Sequence, residues 1–332
     1  MHIKNKNLSK KILSWYDNNK RALPWRISHK SKKKQYYRIL SEFMLQQTQV
    51  KTVIPYFIKF VSKIPNLKVL STSNEKKILK VCEGLGYYRR AKNLRKTAKI
   101  IIKNYYGKLP TKFEEIKKLP GIGDYTANAL LALVYDQPRI PVDGNVERVF
   151  SRLLNKNLKY EKNTYKIFDS ERNADLAEAL MEFRATVCRP KNPLCKVCNL
   201  RNYCKFFKRE IYIPKKKKYY FKEKKFNIFC YLNKKNKKIA LTKNKNLSFL
   251  ANFKMPETQM VISNNNLKIK GWKYLCNYKN NISNIKMNIN LFYKFTKNKP
   301  KKFTWYSING SNVEFIPSFT KKIFKKVKKL YV

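Results

Sequence analysis

The sequence predicts a multidomain protein: an all-α region over residues 1–210, a linker at 211–223 and an α/β domain at 224–332. Three observations lead there. Up to about residue 210, apolar residues recur every three or four positions between short Gly/Pro breaks, the period of amphipathic helices. The stretch "REIYIPKKKKYYFKEKKF" then breaks the pattern with Pro214 and a lysine run. Beyond it, short apolar runs such as "FNIFCYL", "KIALT" and "IKMNINLFYKF" have strand character, and "SFTKKIFKKVKKLYV" that of a terminal helix.

In the first region, "YYRILSEFMLQQTQVKTVIPYF" places Ile39, Phe43, Gln46, Val50, Val53 and Phe57 on one helical face. Farther on, "FEEIKKL" reads as a helix and "LPGIGDY" as a turn, and from Thr126 the residues Ala127, Leu130, Leu131 and Val134 again keep helical spacing. Gly121 and Gly123 are expected to take positive-φ or crowded backbone positions, with Pro120 stiffening the approach. The following helix would then start with free amides that can face a phosphate. A helix–hairpin–helix of this kind grips a nucleic-acid backbone without reading sequence, although an ordinary helix connection accounts for the turn equally well.

Composition narrows the partner. The 332 residues carry a net charge of +56 with a pI near 10.1, which favours a polyanion and nucleic acid first. Lysine and asparagine are abundant everywhere, as AT-rich coding would also produce, so charge alone says little. There is no run of about 18 apolar residues and no apolar stretch behind Met1, which points away from membranes and secretion. With His2 and His29 the only histidines, composition argues against His-rich metal sites and Ser-His-Asp chemistry.

Four of the seven cysteines, Cys188, Cys195, Cys198 and Cys204, lie in "CRPKNPLCKVCNLRNYC" with C-x6-C-x2-C-x5-C spacing. In a chain of this type they indicate a metal or cluster ahead of disulfides. Zinc prefers two paired knuckles, whereas one C-x2-C flanked by single cysteines suits one [4Fe–4S] cluster better. Arg189, Lys191, Lys196, Arg201 and Lys205 make the loop basic.

Together, "LPGIGDYTA", "PVDGNVERV" and the cysteine loop resemble the helix-hairpin-helix DNA glycosylases that carry an iron–sulfur cluster. Within them, "LPWR", "SEFMLQQTQV" and "GLGYYRRAKNL" look like the adenine DNA glycosylase (MutY) family over residues 8 to about 205. The resemblance implies a six-helix module at about 29–134. Terminal helices and the cluster loop would occupy 1–28 and 135–210. It also implies excision of adenine opposite 8-oxoguanine or guanine in double-stranded DNA, leaving an abasic site.

By this resemblance Glu42 and Asp143 are the catalytic carboxylates, with Asn145 and Tyr125 beside them. Departure of adenine needs a proton on a ring nitrogen and leaves a cationic sugar. Glu42, among apolar residues, would keep that proton, and Asp143 would stay ionised and stabilise the sugar. A solvated face for Glu42 and a helix cap for Asp143 are the plain alternatives. Lyases that resemble endonuclease III have a lysine at position 125; a phenol forms no Schiff base, so Tyr125 implies a monofunctional enzyme. Gln47 and Tyr87 match wedges that enter the base stack, and Arg26 and Glu178 match contacts to the flipped adenine. Arg184 stands where the family has glycine and is expected to add a surface charge. "FLANFKMPE", "NISNIKMNINLFY" and "WYSINGSNVEFIPSF" are similar to the family's Nudix-like, 8-oxoguanine-reading domain. There Ile282, Ser283 and Asn284 replace a Phe-Ser-His loop, so Ser283 is the residue left to bond the lesion.

The resemblance further implies a monomer in the bacterial cytoplasm, at the nucleoid. An endonuclease III-like glycosylase/lyase and a catalytically decayed DNA-binding protein are the competing expectations.

Overall fold

The computed structural model describes residues 6–28, 30–86, 88–155, 168, 170–209, 222–244, 247, 250–251, 253–261, 269–282, 285–309 and 315–331. The chain divides into two compact units, Met1–Lys215 and Lys216–Val332.

The first unit is helical. Helix α1 spans Lys6–Asn19, α2 Lys34–Leu45, α3 Val50–Lys63, α4 Leu67–Thr72, α5 Glu75–Val81, α6 Tyr88–Asn104, α7 Phe113–Lys117 and α8 Asp124–Tyr135. After them come α9 at Gly144–Leu154, α10 at Asn173–Thr186 and α11 at Lys205–Arg209. Helix α2 packs on α3, α6 and α8 and is buried nearly all round, from Tyr36 through Met44. That is why a charged residue in its middle cannot reach water. The fully buried Phe43, Phe57, Phe60, Phe150 and Phe183 anchor this unit, each contributing about 1.5–3 kcal/mol by leaving water.

Two expectations change here. The apolar face drawn from Ile39 to Phe57 is not one helix: α2 ends at Leu45 and α3 begins at Val50. Gln47 between them has φ +56°, a left-handed conformation no α-helix continues through. The stretch 29–134 holds seven described helices rather than six, because Asn66 and Asn74 cap α4 and α5 separately. Their side chains accept from Val69 N at 2.9 Å and Lys77 N at 2.8 Å.

Helices α1, α9 and α10 share a second core through Ile12, Tyr16, Val149, Phe150, Leu180 and Phe183, which reaches the cysteine loop at Leu200. Ala129 and Ala132 of α8 meet Ala177 of α10, all fully buried. Side chains this small let the two helices approach closely, which brings residues 125 and 178 to one cavity.

Among the described residues the second unit is a seven-stranded mixed sheet with one long helix. Its strands are β1 at Lys222–Asn233, β2 at Lys238–Lys243, β3 at Lys254–Met255, β4 at Glu257–Val261, β5 at Lys273–Ile282, β6 at Ile285–Phe295 and β7 at Thr304–Ser307. Central β1 runs parallel to β6 on one edge and antiparallel to β2 and β4 on the other. Phe226, Ile228, Cys230 and Leu232 alternate into a core completed by Phe319, Ile323 and Val327 of helix α12, Ser318–Val327. On the opposite face the Asn277 carboxamide donates to Asn290, whose own carboxamide donates to Asn227. Strand β1 begins inside the stretch expected to be linker at 211–223, since Lys222 already pairs with Ile285; the rest of that stretch lies outside the described residues. Among the described residues no helix is long and apolar enough to cross a membrane.

Candidate active site

The turn between α7 and α8 needs glycine at one position. Gly121 has φ +82°, and a Cβ there would lie 2.9 Å from the Asn93 side chain and 3.1 Å from Phe43. Gly123 departs from the expectation: its φ is −101° and a Cβ would meet nothing within 4 Å. It sits as the cap of α8 without any side chain to bond the helix amides. The Gly121 carbonyl accepts from Gln46 Nε2 at 3.1 Å, and Thr97 Oγ1 donates to the Pro120 carbonyl at 3.0 Å. The turn is thereby tied to the loop that presents the exposed Gln47. Arg90 secures that loop from below, donating to the carbonyls of Phe43 and Met44 and to Thr48 Oγ1 at 3.2, 2.6 and 3.0 Å.

A cavity of about 550 Å³ opens beside this loop, and Glu42, Asp143, Tyr125, Arg26, Gln47 and Glu178 all line it. Asn145 stands one step back, donating its carboxamide to Asp143 at 3.2 Å and accepting from Arg148 at 2.8 Å. Tyr87 and Ser283 lie outside the described residues.

The two carboxylates are set apart electrostatically. Glu42 is 6% exposed; burial pushes its carboxyl up to about 7, with Arg38 and Arg184 opposing and Glu178 and Asp143 adding to the rise. Asp143 is the cap of α9, its Oδ1 accepting the amides of Asn145 and Val146 at 3.0 and 2.9 Å. Burial works against its charge, but Arg184 and those hydrogen bonds hold it below the usual carboxylate range. At neutral pH the cavity therefore holds one carboxyl that still keeps a large share of its proton and one that is ionised. Burial, with Glu42 nearby, drives the Tyr125 phenol well above its ordinary value, so it stays neutral.

Arg184 is not the surface charge expected from the sequence. It lines the cavity and forms an ion pair with Asp143 Oδ2. Glu178 is likewise not free: its oxygens accept from Arg38 and from the Tyr16 hydroxyl, and Arg26 Nε lies 3.4 Å away. Arg26 also donates to Glu182 at 2.8 Å, and Arg21 pairs with the same carboxylate. Sequence reasoning missed Arg38, Glu182, Tyr16 and Arg90. The signal for Arg38 was present, because an arginine inside the apolar run "YYRILSEF" requires a buried partner.

Cys188, Cys195, Cys198 and Cys204 line one small apolar cavity below α9 and α10. Among the described residues no group of three or more His, Cys, Asp or Glu is arranged as a metal site. Arg152 Nη1 points at Cys188 Sγ from 3.5 Å, a donor that would favour a thiolate there.

A family model described as HhH-GPD superfamily base excision DNA repair protein matches residues 40–171. The adenine DNA glycosylase of Buchnera aphidicola subsp. Baizongia pistaciae is 35% identical, covering 96% of this chain and 96% of that protein. The adenine DNA glycosylase of Mus musculus is 37% identical over 60% of this chain and 41% of its own length. Among solved structures, a thermostable thymine-DNA glycosylase is similar in fold, with a TM-score of 0.55 and 24% identity over 60% of this chain and 94% of that one. A trapped endonuclease III–DNA covalent intermediate gives a TM-score of 0.50 with 21% identity, over 62% and 96%. With the likeness to the Baizongia protein running almost end to end, this chain belongs to the adenine DNA glycosylases, enzymes that hydrolyse N-glycosyl bonds.

Proposed function

We propose that the protein removes adenine opposite 8-oxoguanine or guanine in double-stranded DNA, as a monofunctional glycosylase that leaves an abasic site. The observation that carries this is the pairing, in one cavity, of a carboxyl that retains its proton up to about pH 7 with an ionised one. Glu42 gives its proton to a ring nitrogen of the extruded base. Asp143 faces the sugar and stabilises its positive charge, while Asn145 orients it. Tyr125 lines the pocket as a neutral phenol and offers no amine for lyase chemistry.

Gln47 and Tyr87 wedge the stack open, and the turn at Gly121 and Gly123 holds a backbone phosphate. Arg26 and Glu178 contact adenine with the donor and acceptor capacity left over from their own pairing. The domain at 224–332 is assigned as Nudix-like, with Ser283 bonding the oxidised base. The enzyme acts as a monomer at the bacterial nucleoid.

Single-turnover reactions on duplexes carrying adenine opposite either base test the reading. Adenine release that gives strand breaks only after alkali is the expected result. Breaks that keep pace with release without alkali would establish a glycosylase/lyase instead.

The four cysteines are proposed to hold one [4Fe–4S] cluster, whose role is to fix the basic loop against DNA. Purified protein should contain about four irons and four sulfides per chain. About one zinc and no iron would overturn this assignment.

A further inference from the structure

Asp143 is fully engaged before any substrate arrives. Its Oδ1 takes the two amides of α9, and its Oδ2 takes the Asn145 carboxamide and the Arg184 guanidinium. A carboxylate offers about four lone-pair positions, so none is left. Three of the donors belong to α9 and hold Asp143 as its cap. Arg184 reaches over from α10 and is the one donor that carries charge. A sugar that becomes cationic needs a negative, accessible oxygen. With the guanidinium in place the pair is neutral, and the developing charge meets a fixed positive one.

The pair is part-buried, the Arg184 side chain 18% exposed and that of Asp143 31%, and both line the cavity. The Arg184 Nε is buried without a hydrogen-bond partner, leaving part of the guanidinium fork unused. An extruded nucleotide brings backbone phosphates, which accept two parallel bonds from such a fork.

We propose that Arg184 is a latch drawn by phosphate. In the DNA-free protein it closes Asp143; a phosphate flanking the extruded nucleotide takes it away, opening the carboxylate and gripping the strand. The amides of α9 stay in place and go on bonding Asp143 once the guanidinium has left. This rests on Asp143 facing the sugar.

The test is equilibrium binding over a salt series to a duplex bearing a tetrahydrofuran abasic analogue, with a second duplex bearing a cationic pyrrolidine in its place. Arg184→Met and Arg184→Gln should bind more weakly, with the slope of log affinity against log salt smaller in magnitude by about one. Arg184→Lys should restore the slope. The wild type should prefer the cationic duplex as strongly as the neutral variants do, because its latch is already lifted. A slope that neither neutral variant changes, or a cation preference that appears only once Arg184 is removed, would overturn the latch. Neither duplex contains the target adenine, so both readouts stand even where adenine release fails and the functional assignment with it.

Discussion

Glu42→Gln is expected to slow single-turnover adenine release by about 10²–10⁴-fold, the usual contribution of a positioned general acid. The amide fills the same space and carries no transferable proton. The pH dependence identifies the group. Because burial lifts the Glu42 carboxyl to about 7, the proton is present below that value and lost above it. The wild-type rate should therefore fall about tenfold per pH unit on the alkaline side. Stability moves in the same direction. The folded protein keeps a proton that the unfolded chain releases above its ordinary value of 4.5, so stability declines as pH climbs from 4.5 to about 7, and then levels. Glutamine should abolish both slopes. A wild-type rate flat across the alkaline limb, or a variant within tenfold of it, would remove Glu42 from the acid role.

Glu178→Ala is expected to destabilise the helical unit by about 3–5 kcal/mol, the cost of leaving a buried charge without its partner. Arg38 is only 3% exposed and directs its Nη1 at Glu178, and the Tyr16 hydroxyl uses the same carboxylate. Removing that carboxylate strands one charge and one hydroxyl together. Glu178→Gln, which keeps one acceptor, should lose less. Urea unfolding followed by helical circular dichroism measures both, with the slope on denaturant unchanged. A loss of under about 1 kcal/mol in the alanine variant would mean that water reaches Arg38 and that the cluster is a surface feature.

These two residues show what local sequence does and does not reveal. Glu42 was accessible because desolvation follows from its neighbours in the same helix. The partners of Glu178 were not, since Arg38 lies 140 residues away and Tyr16 162. Periodicity gives a face, not the helix across from it. Arg184 failed for the same reason: on its own helix it looks like a rim charge, and only the cap of α9, 41 residues earlier, makes it a cavity residue. The end of α2 was invisible because Gln46–Gln49 contains neither glycine nor proline, and the left-handed turn falls on a glutamine. The grouping of the four cysteines could be read from spacing, and the structure sets all four around one small cavity.

The parallel pairing of β1 with β6 sets an order of assembly. Partners in that ladder, such as Asn227 and Asn290, are 63 residues apart, and no hairpin can bring them together. During synthesis the helical unit emerges before β1 and can fold while β1 waits with an open edge for a strand not yet made. That edge carries Lys222, Lys224 and Lys225, whose mutual repulsion discourages a second nascent chain from pairing there first. The lysines at the start of β1 thus also protect the sheet while it is incomplete.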